Sequence, residues 1–422
     1  MTRSADQNSR AERPLDITCD RRRFCALGLL ALIACCGAPA AALGGCAPGA
    51  ETGSSPSGAS SAAQAASDAL PSNAEGASQP DTIVLTDSVG RTVEVPARCT
   101  RIAALDSFSG EALVMAGAGP LMVAVPRGVA SDTVLLQIYP GLAEMPAPQS
   151  GGTVNVESLW ALDPDVVLVK PSLYYSQEEI GKLDKLGMPY LVIDYLTIEE
   201  QLAALEMIGS ILPSEQAQRM AAIVSTYRSG VERVEACAAR IPNAEKLRVY
   251  HAINQAVITD GPSSIGADWI TRVGGIDVSA VSLGADGGAE ASASSDRGDY
   301  QATLEQVFVW DPDIVICNEA STATYLLSDS KWAGLRSVAD ERVYNIPVGA
   351  TRWGQRGSVE TWFAMMWLGI TAYPEYFGDV DLREEVSTFY GTVLGIDVDD
   401  ALYEQMLSGQ GMRKQSTGKS GS

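Results

Sequence analysis

A chain of 422 residues, 46% apolar and 19% charged, has material for a buried core and for two to three domains. Its formal charge of −22 repels phosphate backbones, which argues against nucleic-acid partners, and it keeps the body off an anionic membrane unless a tether holds it there.

The first elements read as an export signal over 1–45. Arg21-Arg22-Arg23-Phe24 precedes the apolar run Cys25 to Ala34, and small residues lead to Leu43-Gly44-Gly45-Cys46. The run is too short for a good spanning helix. Leu-Gly-Gly-Cys resembles a bacterial lipobox, which implies lipidation of Cys46. Arg-Arg-x-Phe resembles a twin-arginine signal, with the general secretory route as the alternative. Six arginines and four acids lie in 1–45, so their removal leaves the remainder near −24. Residues 46–80, rich in Ala, Ser, Gly and Pro after the cysteine, read as a disordered linker of roughly 30–35 Å.

The folded body starts near Asp81. Thr82 to Asp87 and Thr92 to Val95 flank Ser88-Val89-Gly90-Arg91, which signals a hairpin. Arg101 to Leu105 reads as a buried strand, and Ser109-Gly110 opens a helix-like stretch from Glu111 to Gly117. Strand and helix then alternate, the pattern of an α/β fold. An internal echo follows. Asn155 to Val169 and Thr303 to Cys317 each combine a short amphipathic helix, an Asp-Pro-Asp turn and a continuous apolar strand. The copies lie 148 residues apart, from Asp163 to Asp311, and predict two similar lobes.

Between the copies, Met220, Ile223, Val224, Tyr227, Val231, Val234, Ala238 and Ile241 form one helical stripe. Ser214 reads as its cap and Pro242 as its stop. The resulting rod of about 42 Å reads as the connection between the lobes. The predicted divisions are 81–212 for the first lobe, 213–242 for the connecting helix, 243–411 for the second lobe and 412–422 for a disordered tail. Cys99, Cys237 and Cys317 match no metal-ligand spacing; they read as small buried side chains, with one disulfide as the alternative.

Thr86 to Pro96, Arg101 to Leu105, the Asp-Pro-Asp echo and Gly274-Gly275-Ile276-Asp277 stand in an order that resembles the solute-binding proteins of iron–siderophore and vitamin B12 importers. The resemblance covers most of 81–411. It implies two Rossmann-like α/β lobes with mainly parallel sheets joined by a single long helix, a ligand between them, and docking on an ABC permease with its ATPase. It also implies one docking acid per lobe, for which Glu144 and Asp277 lie in the matching regions. No phosphate-loop Gly-x-x-x-x-Gly-Lys-Ser/Thr and no Gly-x-Ser-x-Gly elbow occur, and a catalytic triad would need the single histidine, His251. A non-enzymatic, monomeric receptor is therefore expected, without an intrinsic cofactor and touching membrane only through its lipid.

Ligands of open α/β sheets sit at strand carboxyl ends. The candidate ligand-binding residues are accordingly Ser107, Phe108, Arg127, Tyr174, Tyr175, His251, Asn254, Asn318, Arg352, Trp353 and Arg356. The arginines offer planar donors for carboxylates, catecholates or phosphate-like groups. Trp353 offers a flat wall for a macrocycle or aromatic chelator, or else packs in the core. Of Tyr174 and Tyr175, adjacent in extended backbone, only one would face the cleft. His251 is a possible direct metal ligand, though a structural histidine is favoured. The expected cargo is a metal chelate, a ferric siderophore first, with a corrinoid or haem as alternatives. An exported chelate-processing enzyme or metallochaperone is the reading from another class.

Overall fold

Two four-stranded parallel sheets organise the described residues, which are 81–150, 152–285, 299–410 and 412. The protein is described from a computed structural model, and all these residues fall within one compact unit, Glu75–Ser422. The predicted export segment, Cys46 and the whole predicted linker to residue 80 lie outside the described residues, as does the tail from 413 onward. Met412 departs from the predicted tail: it is buried, and its carbonyl accepts a 2.6 Å bond from the Thr133 hydroxyl.

The first sheet has the order Met122–Ala124, Ile102–Ala104, Val166–Val169, Tyr190–Val192. The second has Ile276–Asp277, Arg248–Ala252, Ile314–Cys317, Val343–Asn345. Strands Val166–Val169 and Ile314–Cys317 are buried at every residue, as apolar runs covered on both faces must be. The hairpin Thr82–Thr86 with Thr92–Pro96 pairs antiparallel ahead of the first sheet.

The echo has a physical cause. In each copy the first Asp closes the helix in the left-handed region, with φ 44° at Asp163 and 37° at Asp311, a conformation Asp tolerates better than most residues. The second Asp then ties the turn to the neighbouring strand. The Asp165 carboxylate accepts from the backbone N–H of Thr100 and Arg101 at 2.7 and 2.9 Å, and Asp313 accepts from that of Arg248 at 2.8 Å. Each copy thereby sets the start of a strand at the centre of its sheet.

The connecting helix occupies Ser214–Ala238, about 37 Å long. Pro213, not Ser214, holds the cap position. Met220, Ile223, Val224, Tyr227, Val231 and Val234 are buried, as the stripe predicts. They pack against Ile198–Ser210 from the first lobe and Thr361–Ala372 from the second. Gly230 is required here: a Cβ would lie 2.6 Å from the Trp362 ring. One hydrophobic cluster runs from Val93 through this helix to Met412, so the lobes share a core at their base. Cys99, Cys237 and Cys317 are free thiols, the first and last buried.

Candidate functional site

The strand carboxyl ends of the first lobe and the loop that follows Val343–Asn345 in the second line one cleft of about 320 Å³. From the first lobe, Asp106, Ser107 and Phe108 follow the strand Ile102–Ala104, Pro126 follows Met122–Ala124, Lys170 and Ser172 follow Val166–Val169, and Ile193 and Tyr195 follow Tyr190–Val192. The second lobe supplies Asp299 and the loop bearing Arg352, Gln355, Arg356 and Gly357.

Three cations reach this cleft, each near a carboxylate. Arg352 pairs with Glu319, and its Nε is buried without a hydrogen-bond partner. Arg356 crosses to the first lobe, with Nη2 2.6 Å from Asp194 Oδ1. Lys170 acts on Asp106: burial raises the Asp106 pKa, while the charge of Lys170 and the Ser109 bonds pull it down. Asp106 also caps the helix Ser107–Met115 through the Ser109 N–H at 2.9 Å. Phe108 and Tyr195 form a tilted ring pair, 4.7 Å between centroids, that gives the cleft an apolar wall.

The arginine loop is fixed from several sides. Buried Glu360 accepts from Thr351 N–H at 2.6 Å, from the Thr351 hydroxyl at 2.8 Å and from the Tyr390 hydroxyl at 2.6 Å. Burial pushes the Glu360 pKa up to about 7. Trp269 donates to Gly354 O at 3.0 Å, and Gly354 has φ +70°, where a Cβ would also strike Ala364 and Trp269 at 2.9 Å. Two bonds cross from the first lobe: Tyr195 OH to Arg356 O at 2.7 Å and Gln201 Nε2 to Ser358 O at 3.1 Å. Arg352 and Arg356 are thus presented by a stiff loop, as oriented recognition requires.

Of the candidate residues, the structure brings Ser107, Phe108, Arg352 and Arg356 to the cleft. It places the others elsewhere, and several readings need correction. Trp353 is fully buried against Phe363 and cannot be a ligand wall. His251 and Asn318 are buried and bonded to each other: His251 Nε2 lies 2.9 Å from Asn318 Oδ1, and Nδ1 lies 2.7 Å from Asp260. Both ring nitrogens are therefore engaged away from the cleft. Asn254 borders a separate shallow depression with Thr322 and Trp332. Arg127 is exposed on the short helix Arg127–Ala130, beyond the cleft-lining Pro126. Tyr174 ends the helix Pro171–Tyr174, so the extended-strand reading of Tyr174 and Tyr175 fails; Tyr174 packs by Arg91 and Tyr175 is exposed. Asp277 is 1% exposed and bonds Ser279 and the Ala280 N–H, so it cannot meet a permease surface. Glu144 is exposed at the end of Pro140–Glu144.

Sequence reasoning passed over Lys170, Tyr195 and Gln149 as cleft residues. Lys170 was detectable from its place just after a buried strand. Tyr195 follows a strand of three residues whose signal merges with the flanking Met188 and Ile193. Among the described residues, no group of three or more His, Cys, Asp or Glu is arranged to hold a metal ion, and no helix is long and apolar enough to cross a membrane.

A family model described as periplasmic binding protein matches residues 102–348. The molybdate-binding protein MolA of Haemophilus influenzae is 24% identical over 323 residues, 73% of this chain and 89% of MolA. The solved structure of molybdate-bound MolA superposes with a TM-score of 0.64 at 22% identity, over 75% of this chain and 99% of that one. A periplasmic solute binding protein from Veillonella parvula gives 0.60 at 24% identity, over 78% and 99%. The uncharacterized ABC transporter substrate-binding lipoprotein YvrC of Bacillus subtilis is 22% identical over 279 residues, 65% of this chain and 81% of YvrC.

Proposed function

This chain belongs to the periplasmic binding protein family, and from that premise we propose that it captures an anionic metal chelate, a ferric siderophore first, between its lobes and hands it to the permease of an ABC importer. The observation that carries this reading is the convergence of Lys170, Arg352 and Arg356 on a cleft of about 320 Å³ that also holds hydroxyl and amide donors and an aromatic wall. Guanidinium groups match the planar oxygen pairs of catecholate and carboxylate chelators, and the rings suit their aromatic faces. A cleft of this volume falls in the range for small-molecule ligands.

A bare oxyanion of the molybdate kind is the second reading, favoured by the likeness to MolA over most of both chains. Calorimetric titration of the protein with ferric tris-catecholate, ferric tris-hydroxamate, ferric citrate, cobalamin, haem and molybdate separates the readings. Saturable binding of a ferric chelate, weakened at least tenfold by Arg352→Ala or Lys170→Ala, is expected. Binding of molybdate alone would transfer the assignment to the second reading, and binding of none would overturn both.

We also propose that Cys46 carries lipid and that 47–80 tethers the body to the outer face of the cell membrane, near its permease. The name of YvrC as a lipoprotein supports this. Mass spectrometry of the mature amino terminus tests it, and an unmodified Cys46 would refute it.

A further inference from the structure

We propose that Asp194 and Glu319 set the charge of the ligand the cleft accepts, standing on Arg356 and Arg352 as acceptors that an incoming ligand must displace. This rests on the reading of the cleft as the ligand site. Each pair has a geometry that an ordinary surface bridge does not require. Arg356 reaches across the cleft, from the second lobe to Asp194 at the end of a first-lobe strand, at 2.6 Å, with both side chains about three-quarters buried. Glu319 sits at the cap position of the helix Ala320–Ser328, yet its carboxylate makes no capping bond there and turns to Arg352 instead. The Arg352 side chain is only 15% exposed.

Two of the three cleft cations are thereby neutralised before any ligand arrives. A small monoanion gains little by trading places with a carboxylate already held in position. A ligand that presents several anionic oxygens on one rigid frame replaces both carboxylates together, and part of its entropy loss is shared between the two contacts. The cleft then discriminates by the number and arrangement of negative oxygens on the ligand. The displaced carboxylates also remain beside the arginines, ready to re-form the pairs when the permease draws the ligand out. The backbone of Arg356 is held independently of the ion pair, because its carbonyl accepts from the Tyr195 hydroxyl.

The test uses Asp194→Asn and Glu319→Gln in the full folded chain. Each should raise affinity for ferric tris-catecholate about tenfold and give measurable binding of inorganic phosphate, which the unaltered protein should ignore. Arg356→Ala should abolish the gain in the Asp194→Asn background. A second readout needs no ligand affinity. Phenylglyoxal, followed by peptide mass mapping, should modify Arg356 faster in Asp194→Asn only, and Arg352 faster in Glu319→Gln only. If binding is seen but neither variant changes it, or if the modification rates stay as they were, the inference is overturned. If no chelate or oxyanion binds any variant while the arginine reactivities shift as expected, the pairing stands and the functional reading fails.

Discussion

Replacing Trp353 distinguishes a core role from a ligand-wall role. The ring is fully buried, lies 5.1 Å from the Phe363 ring, and its indole N–H has no partner. Burying roughly 200 Å² of ring at about 25 cal/mol/Å² contributes about 5 kcal/mol, and measured Trp→Ala substitutions in cores cost about 3–5 kcal/mol. Trp353→Ala is therefore expected to lower the unfolding free energy by about 4 kcal/mol. Trp353→Phe keeps most of the contact area and removes a donor that bonds nothing, so about 1 kcal/mol is expected. Urea unfolding followed by far-ultraviolet circular dichroism reads both values, and titration of the still-folded Trp353→Phe protein reads affinity, which should be unchanged. A Trp353→Ala protein of near-normal stability that binds ligand ten times more weakly would refute the reasoning and return Trp353 to the cleft wall.

Gly349→Ala would place a Cβ 2.4 Å from the Tyr390 hydroxyl, 2.7 Å from Trp353 Nε1 and 2.8 Å from Glu360 Oε2. It should destabilise by about 2–3 kcal/mol and weaken ligand binding by moving Arg352. Gly128→Ala, with open space around it, is the control and should do neither. Asp165→Ala leaves two strand-start N–H groups without an acceptor and should cost about 2 kcal/mol by chemical denaturation, with Asp313→Ala similar; a loss under about 0.5 kcal/mol in both would show the echo to be sequence without structural consequence. Stability should fall as pH rises. Burial raises Glu360 and Asp277 to about 7, so the folded state holds protons there that the unfolded chain releases near pH 4 to 5. Burial opposes a charge on His251, but Asp260 and Asn318 outweigh it and raise the pKa to about 9, so that contribution is full below about 6.5 and lost by about 9. Urea midpoints at pH 5, 7 and 9 should decline in that order, and His251→Gln should flatten the upper limb; a midpoint that rises to pH 9 would contradict the assignment.

What the sequence revealed was what local chemistry dictates. The Asp-Pro-Asp echo was readable because its first two residues act within a few positions, one leaving the helix and one removing a donor; the bond of the second Asp to a strand start 64 or 65 residues earlier was not. Arg352 and Arg356 were readable because the chain leaves a strand there, and both alpha–beta lobes and the helix between them followed from periodicity. The direction in which Trp353 points was not readable. It depends on the left-handed turn at Gly354 and on Trp269, 84 residues away from Trp353 in sequence, which receives that turn. Asp277 looked like a surface acid because charge patterning cannot show that it ends a strand of the second sheet, buried, with Ser279 and the Ala280 N–H bonded to its carboxylate. Pro171 at the first position of a helix was the available signal against an extended Tyr174-Tyr175, and it was missed.

The shared core at the base of the lobes bears on how cargo preference can change among such receptors. One hydrophobic cluster, with members as far apart as Val93 and Met412, runs through the connecting helix. A lobe exchanged with that of a distant relative would bring half of a foreign interior and leave mismatched surfaces along Ser214–Ala238. Substitution in the loops at the cleft, by contrast, leaves this shared interior intact.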